Sequence, residues 1–204
     1  AIKDISFDLY EGEFVSIVGP SGCGKSTLLN ILTNMDNLTK GNIELKENLK
    51  LGYMLQSDSM LSWRKVIDNA LLGLEIKKEK TEENIAYVKD LFKKYGLLEF
   101  MDKRPFELSG GMRQRVALIR TLALKPDILI LDEPFSKLDY QSRLKVSDDV
   151  YKIIKEEGKT ALMVTHDLAE AISISDRVIV LSDRPCTIKN IYKIKREKEG
   201  TPIE

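Results

Sequence analysis

The segment that most constrains this chain is Gly19-Pro20-Ser21-Gly22-Cys23-Gly24-Lys25-Ser26-Thr27. It lies between a short apolar run, Phe14 to Val18, and a segment from Lys25 to about Thr33 whose apolar residues recur at helical spacing. Strand, glycine-rich loop and helix in that order, with the pattern G-x-x-x-x-G-K-[ST], describe a phosphate cradle. Gly22 and Gly24 permit the tight turn that aims successive backbone N–H groups at one place, and the helix behind adds its positive end. Lys25 supplies a point charge for the β and γ phosphates, and Ser26 a hydroxyl for Mg²⁺. A chance glycine-rich turn would fit the letters but not the flanking strand and helix.

The rest of the chain repeats this alternation. Leu51 to Leu55 reads as a strand after the Gly41-Asn42 turn, and Thr81 to Tyr95 as a helix with Ile85, Val88, Leu91, Phe92 and Tyr95 near one face. Gly110 to Leu124 is helical until Pro126, because a residue before proline avoids helical geometry. Ile128 to Leu131 is a wholly apolar strand, Gln141 to Glu157 an amphipathic helix ended by Gly158, Ala161 to Thr165 a strand, and Arg177 to Leu181 another after a short helix. Apolar strands without alternation belong to parallel sheets buried on both faces, so the fold class is α/β. Ile2, Ile5, Phe7 and Leu9 suggest a further strand, and because the numbering opens inside it the chain is expected to be truncated at its N-terminus.

Composition narrows the setting. At 204 residues and 43% hydrophobic content a single domain with a sizeable core is expected over 1–204. Lys and Arg (32) balance Asp and Glu (32), so no global field draws the chain to nucleic acid or anionic lipid. No run approaches the roughly 18 to 20 apolar residues of a bilayer span, and the N-terminus lacks a signal-peptide profile. Cys23 and Cys186 make neither a disulfide framework nor a zinc site, which fits a reducing, cytosolic compartment. The charge run from Lys193 to Glu199 reads as a solvated tail.

Ile128-Leu129-Ile130-Leu131-Asp132-Glu133-Pro134 puts two carboxylates where an apolar strand leaves the core. Charge there is costly unless a cation or hydrogen bonds compensate it. Mg²⁺ held by Asp132, directly or through water, is the compensation that a phosphate site offers. Glu133, one residue on, points differently and can accept a proton from an attacking water. The two acids alone would fit a solvated turn; beside the glycine loop, metal and base roles are favoured.

Leu108-Ser109-Gly110-Gly111-Met112-Arg113-Gln114-Arg115 lies about twenty residues before that strand. Alone it could be a serine-capped helix start. Between the glycine loop and the acidic strand it resembles the signature motif of the ATP-binding cassette (ABC) family, and the resemblance covers nearly the whole chain. Gln56 matches the family's Q-loop glutamine. Ser136-Lys137-Leu138-Asp139 resembles its D-loop, with Lys137 where most members carry a small residue. His166, the only histidine, follows an apolar strand like the family's switch histidine.

The resemblance implies a P-loop NTPase core with a mostly parallel sheet, an antiparallel β part at the N-terminal side, and a helical subdomain inserted over approximately 57–124. It implies ATP and Mg²⁺ as cofactors. Residues Gly19 to Thr27 would hold the phosphates, with Ser26, Gln56 and Asp132 on the metal. Glu133 would be the general base, and His166 would contact the γ-phosphate. Two copies would pair head to tail, each ATP lying between the phosphate loop of one and Ser109, Gly110 and Gly111 of the other, with Asp139 acting across the interface. The family's adenine-stacking aromatic usually lies upstream, and Tyr10 is too close to Gly19 to match it.

Met54 to Arg64 with Val66, Asn69, Leu72 and Gly73-Leu74-Glu75, together with Pro134-Phe135 and Thr165 to Ala171, is similar to the nitrate, sulfonate and taurine importer branch. That branch implies integral-membrane permease subunits, an extracytoplasmic solute-binding protein acting indirectly, and a place at the cytoplasmic face of the membrane. Trp63 would be either a permease anchor or ordinary core. Non-transport ABC ATPases of DNA repair or translation usually carry a long coiled-coil insertion or two cassettes, which 204 residues do not fit. A catalytically silent module is disfavoured by intact Lys25, Glu133 and His166.

Overall fold

The computed structural model describes residues 2–195; residues 196–199 of the expected charged tail lie outside them. One sheet holds β1 (Phe14–Val18), β2 (Leu51–Met54), β3 (Ile128–Asp132), β4 (Thr160–Thr165), β5 (Arg177–Leu181) and β6 (Ile188–Lys193) in the order β2-β3-β4-β1-β5-β6. The pairings β2 with β3, β3 with β4, β4 with β1 and β1 with β5 are parallel, and β5 with β6 is antiparallel. The helices are α1 (Lys25–Leu32), α2 (Val66–Ala70), α3 (Leu72–Ile76), α4 (Glu82–Lys94), α5 (Gly110–Leu122), α6 (Tyr140–Glu156) and α7 (Leu168–Ile174).

Both faces of the sheet are covered, as the unbroken apolar strands require. One side of β1 and β3 contributes Phe14, Leu129 and Leu131 to a core shared with Leu91 and Phe92 of α4, Val116, Leu118 and Ile119 of α5 and Val150 and Ile154 of α6. The other side contributes Val15, Ile17 and Ile130 to a core with Leu28 and Leu29 of α1. The helices α2 to α5 therefore sit between β2 and β3 in sequence, and their apolar faces close on the same core as the sheet. Thr81 and Asp139 begin α4 and α6 as side-chain caps, accepting from Asn84 N and Ser142 N.

The antiparallel part lies at the C-terminal side of the described residues, in β6, and not at the N-terminal side. Ile2, Ile5, Phe7 and Leu9 do turn toward the α1-side core, which is what their alternation encodes. Their backbone, however, makes only an isolated bridge from Ile2 to Cys186, because no strand runs alongside. The reverse holds for Ile188–Lys193, a mixed and mostly exposed run that pairs by backbone at the sheet edge without a clear alternation.

Candidate functional site

Four neighbouring strands end at one level of the sheet. The register sets Val18 opposite Thr165, Asp132 opposite Val164 and Met54 opposite Leu131. The loops that follow carry Gly19, Gln56, Glu133 and His166, so they converge outside the carboxyl ends of the strands, where open α/β sheets bind ligands.

The first loop is a backbone cradle. Gly22 (φ 74°) and Gly24 (φ 126°) occupy the left-handed region that side chains rarely adopt, and a Cβ on Gly24 would also lie 3.0 Å from Ile2 Cγ1. Helix α1 starts at Gly24 with no side-chain cap, which leaves its first N–H groups for a ligand. Lys25 is buried, and its Nζ donates to the carbonyls of Gly19 (2.7 Å) and Pro20 (2.9 Å), so the ammonium is drawn into the turn. Arg184 Nε braces the loop from outside by donating to Gly22 O at 2.6 Å. Cys23 is buried in the core beneath, while Ser21, Ser26 and Thr27 are exposed.

Opposite stands the acidic pair. Glu133 takes φ 42°, uncommon for a residue with a side chain, and its N–H donates to Val164 O at 2.8 Å. That turn directs the carboxylate away from Asp132 and toward the neighbouring loops. Gln56 Nε2 donates to Glu133 Oε2 at 3.2 Å, and His166 Nδ1 lies 3.2 Å from the same oxygen. Two residues 77 and 33 positions from Glu133 in sequence thus meet it at one oxygen. Burial first, and the Glu133 charge next, push the Asp132 carboxyl up, against the hydrogen bond from Tyr53 and the attraction of Lys25. Tyr53 donates to Asp132 Oδ2 at 3.1 Å, and its hydroxyl is pushed up to about 12 by burial and by that carboxylate.

Among the described residues no group of three or more His, Cys, Asp and Glu is placed to hold a metal ion. The donors near the cradle are instead the Ser26 hydroxyl, the Asp132 carboxylate and the Gln56 amide. Hard oxygen donors of this number suit an ion that keeps waters and takes phosphate oxygens as further ligands.

The signature segment and Asp139 are held elsewhere. Ser109 is the N-cap of α5, its Oγ accepting from Met112 N at 3.3 Å. A Cβ on Gly111 would lie 2.7 Å from Val146 Cγ2 and one on Gly110 3.0 Å from Leu138 Cδ2, so Gly111 lets α5 approach α6 and Gly110 lets it approach the loop before α6. Asp139 caps α6 and is held below the usual carboxylate range by its hydrogen bonds from Ser142. Among the described residues no hydrogen bond joins 109–111 or Asp139 to the phosphate loop. Tyr10 lies at the opposite end of β1 from that loop, with the Arg177 guanidinium 5.3 Å from its ring, which excludes it from the nucleotide side. Trp63 is 69% exposed and is not core.

Several residues near the site escaped the sequence reading. Besides Tyr53, buried Gln114 donates from α5 to Pro134 O, beside Glu133. Arg113 and Arg120, on the same helix, bond Asp58 and so hold the stretch after Gln56. Arg143 and buried Glu170 lie behind the His166 loop. A buried glutamine or glutamate on an otherwise apolar helix face was the available signal, since such groups need a partner.

Comparison with known proteins agrees with this geometry. The family model described as "ABC transporter" matches residues 2–136. The ABC transporter ATP-binding protein YtlC of Bacillus subtilis is 45% identical over 203 residues, 97% of this chain and 78% of its own length. The taurine import ATP-binding protein TauB of Jannaschia sp. is 40% identical over 210 residues, 100% of this chain and 78% of its own. The dimeric structure of MJ0796, a bacterial ABC transporter cassette, superposes with TM-score 0.77 at 33% identity, covering 96% of this chain and 91% of that one. A second structure of MJ0796, in a post-hydrolysis state bound to ADP and Pi, gives TM-score 0.76 at 32% identity over the same shares. With the glycine loop, the Asp132–Glu133 strand end and His166 all following the carboxyl ends of neighbouring strands, the chain belongs to the ABC transporter family as an ATP-binding domain.

Proposed function

We propose that this chain is the ATP-hydrolysing motor subunit of an importer for small solutes of the taurine, sulfonate or nitrate kind. The name of the taurine import relative supports the transport role. The observation that carries the hydrolytic role is the convergence of Gln56 and His166 on one oxygen of Glu133.

Phosphoryl transfer leaves the protein little covalent work, so the rate comes from placing water in line and stabilising spread charge. The N–H groups of Gly22 to Thr27 and the Lys25 ammonium hold the phosphates. Glu133 takes the proton of the attacking water, and His166, fixed against it, orients toward the γ-phosphate. Ser26, Asp132 and Gln56 would hold Mg²⁺, which would supply positive charge to offset that of the phosphates. Asp132 fits that role because it is a carboxyl pressed by burial and by Glu133, which a cation relieves.

The second half of each site comes from another copy, through Ser109, Gly110, Gly111 and Asp139, as the dimeric state of MJ0796 suggests. The permease docks on the helical region after Gln56, approximately 57–124, where Trp63 is exposed. Among the described residues no helix is long and apolar enough to cross a membrane; attachment is through such subunits at the cytoplasmic face, as the name of the taurine import relative suggests. The extracytoplasmic solute-binding protein acts only through the permease. Glu133→Gln is expected to lower turnover at least a hundredfold while MgATP affinity stays within about threefold and ATP stabilises a dimer, because the base is lost and the cradle kept. Unchanged turnover, read by phosphate release, would remove Glu133 from this role.

A further inference from the structure

Behind the reacting groups lies a second polar cluster. Arg143, on α6, reaches two loops at once: Nη1 donates to Asp167 Oδ2 at 2.9 Å and Nη2 to the Leu138 carbonyl at 3.0 Å. Leu138 adjoins Asp139, and Asp167 adjoins His166. A guanidinium is a rigid planar fork, so two bonds from one head fix the separation of the two loops and not merely their charge balance.

The contacts on the His166 side are closed around that fork. Asp167 Oδ1 accepts from Glu170 N at 3.1 Å, Asp167 N donates to Thr165 Oγ1 at 3.1 Å, and Thr165 Oγ1 donates to Glu170 Oε2 at 2.7 Å. Both chain neighbours of His166 are thereby held, while His166 itself meets Glu133. On the Asp139 side, Ser136 Oγ donates to Glu133 O at 3.0 Å and Arg143 N to Asp139 O at 2.9 Å. Contacts therefore run in a ring from Glu133 through 136–139, Arg143 and Asp167 to His166 and back.

The ring also has unused capacity. Arg143 Nε, a donor, and Glu170 Oε1, an acceptor, are buried without hydrogen-bond partners. Neither group makes a bond that a small shift of the fork would break, so the fork can follow the 138–139 loop.

We propose that Arg143 is a positioning residue that couples the loop carrying Asp139 to the loop carrying His166, so that a partner pressing on the first sets the Glu133–His166 contact. The inference rests on the motor reading above, in which Asp139 faces a second copy. A solitary copy leaves the fork undisplaced and His166 in the 3.2 Å contact with Glu133 found here. The partner's arrival shifts 138–139, and the fork transmits the shift to Asp167.

The test is Arg143→Lys, which keeps the charge but replaces the rigid fork with a single point donor that does not fix the separation of Asp167 and Leu138 O. Steady-state turnover, KM for ATP, and ATP-driven dimerisation in the Glu133→Gln background are measured for parent and variant. Turnover is expected to fall at least tenfold, with KM within about twofold and dimerisation retained. Asp167→Asn should give a similar loss, and the double variant should be no slower than the worse single, because both cut one connection. Parent-like turnover in Arg143→Lys, additive losses in the double variant, or dimerisation lost along with turnover would each overturn the coupling. A parent chain without ATPase activity at any concentration would instead overturn the motor reading, so the two failures are distinct.

Discussion

Glu170 is a carboxyl that the fold prefers to keep protonated. It is 7% exposed, and burial, with the Asp167 and Glu133 charges adding, pushes it up from 4.5 to about 7, against the Thr165 hydrogen bond and the Arg143 charge. A folded-state value above the unfolded one means that the stabilisation is complete below the unfolded value, near 4.5, and is lost as pH rises through about 7. At 1.36 kcal/mol per unit the loss is at most roughly 3 kcal/mol. Glu170→Gln cannot ionise, so urea midpoints of parent and variant should diverge in the variant's favour from about pH 5 to about pH 8. A difference independent of pH would refute ionisation of Glu170 as the cause. Asp132 is pushed up by the same agency, burial, but it faces the phosphate loop and Glu170 does not. Two buried acids of similar chemistry are thus told apart by what lies opposite each.

At the scale of elements, the contact of α5 with α6 decides where the signature serine can stand. Gly111 abuts Val146 so closely that a methyl group there requires one helix to give way. Gly111→Ala should cost about 1 to 3 kcal/mol, as overpacking does. Val146→Ala should relieve part of that cost, leaving the double variant less destabilised in urea unfolding than the sum of the singles; strict additivity would place the strain elsewhere. The same scale explains what could be read beforehand. Phe14–Val18 and Arg177–Leu181 stand where their largely apolar runs put them, and Gln56, Glu133 and His166 meet because each follows a parallel strand. The helices α2 and α3 span five residues each, too short for a 3.6-residue period to declare itself. The segment at 2–10 had the alternation of a strand but lacked a neighbour, and pairing is a property of two segments. Tyr53, Gln114 and Arg143 act through partners 79, 20 and 24 positions away, and no local pattern records such a distance.

At the scale of the molecule the two-copy proposal rests on a separation: among the described residues no hydrogen bond joins the phosphate loop to the signature segment. The phosphate loop follows β1, whereas Ser109 starts α5, whose cap satisfies Met112 N and leaves the Gly110 and Gly111 N–H groups at a positive helix end. An ATP held by the first can be enclosed by the second only if another copy supplies it, in a head-to-tail pair related by a two-fold axis. Turnover per molecule should then rise with protein concentration and level off once dimers predominate, in a phosphate-release assay spanning nanomolar to tens of micromolar protein. The 32 basic residues balance the 32 acidic ones, so copies approach without net repulsion. The concentration at half-maximal activity should accordingly move less than about threefold between roughly 50 and 300 mM salt, because surface steering is what salt screens. Activity per molecule that stays flat down to nanomolar protein would mean that one copy completes its own site, and the two-copy arrangement would have to be abandoned.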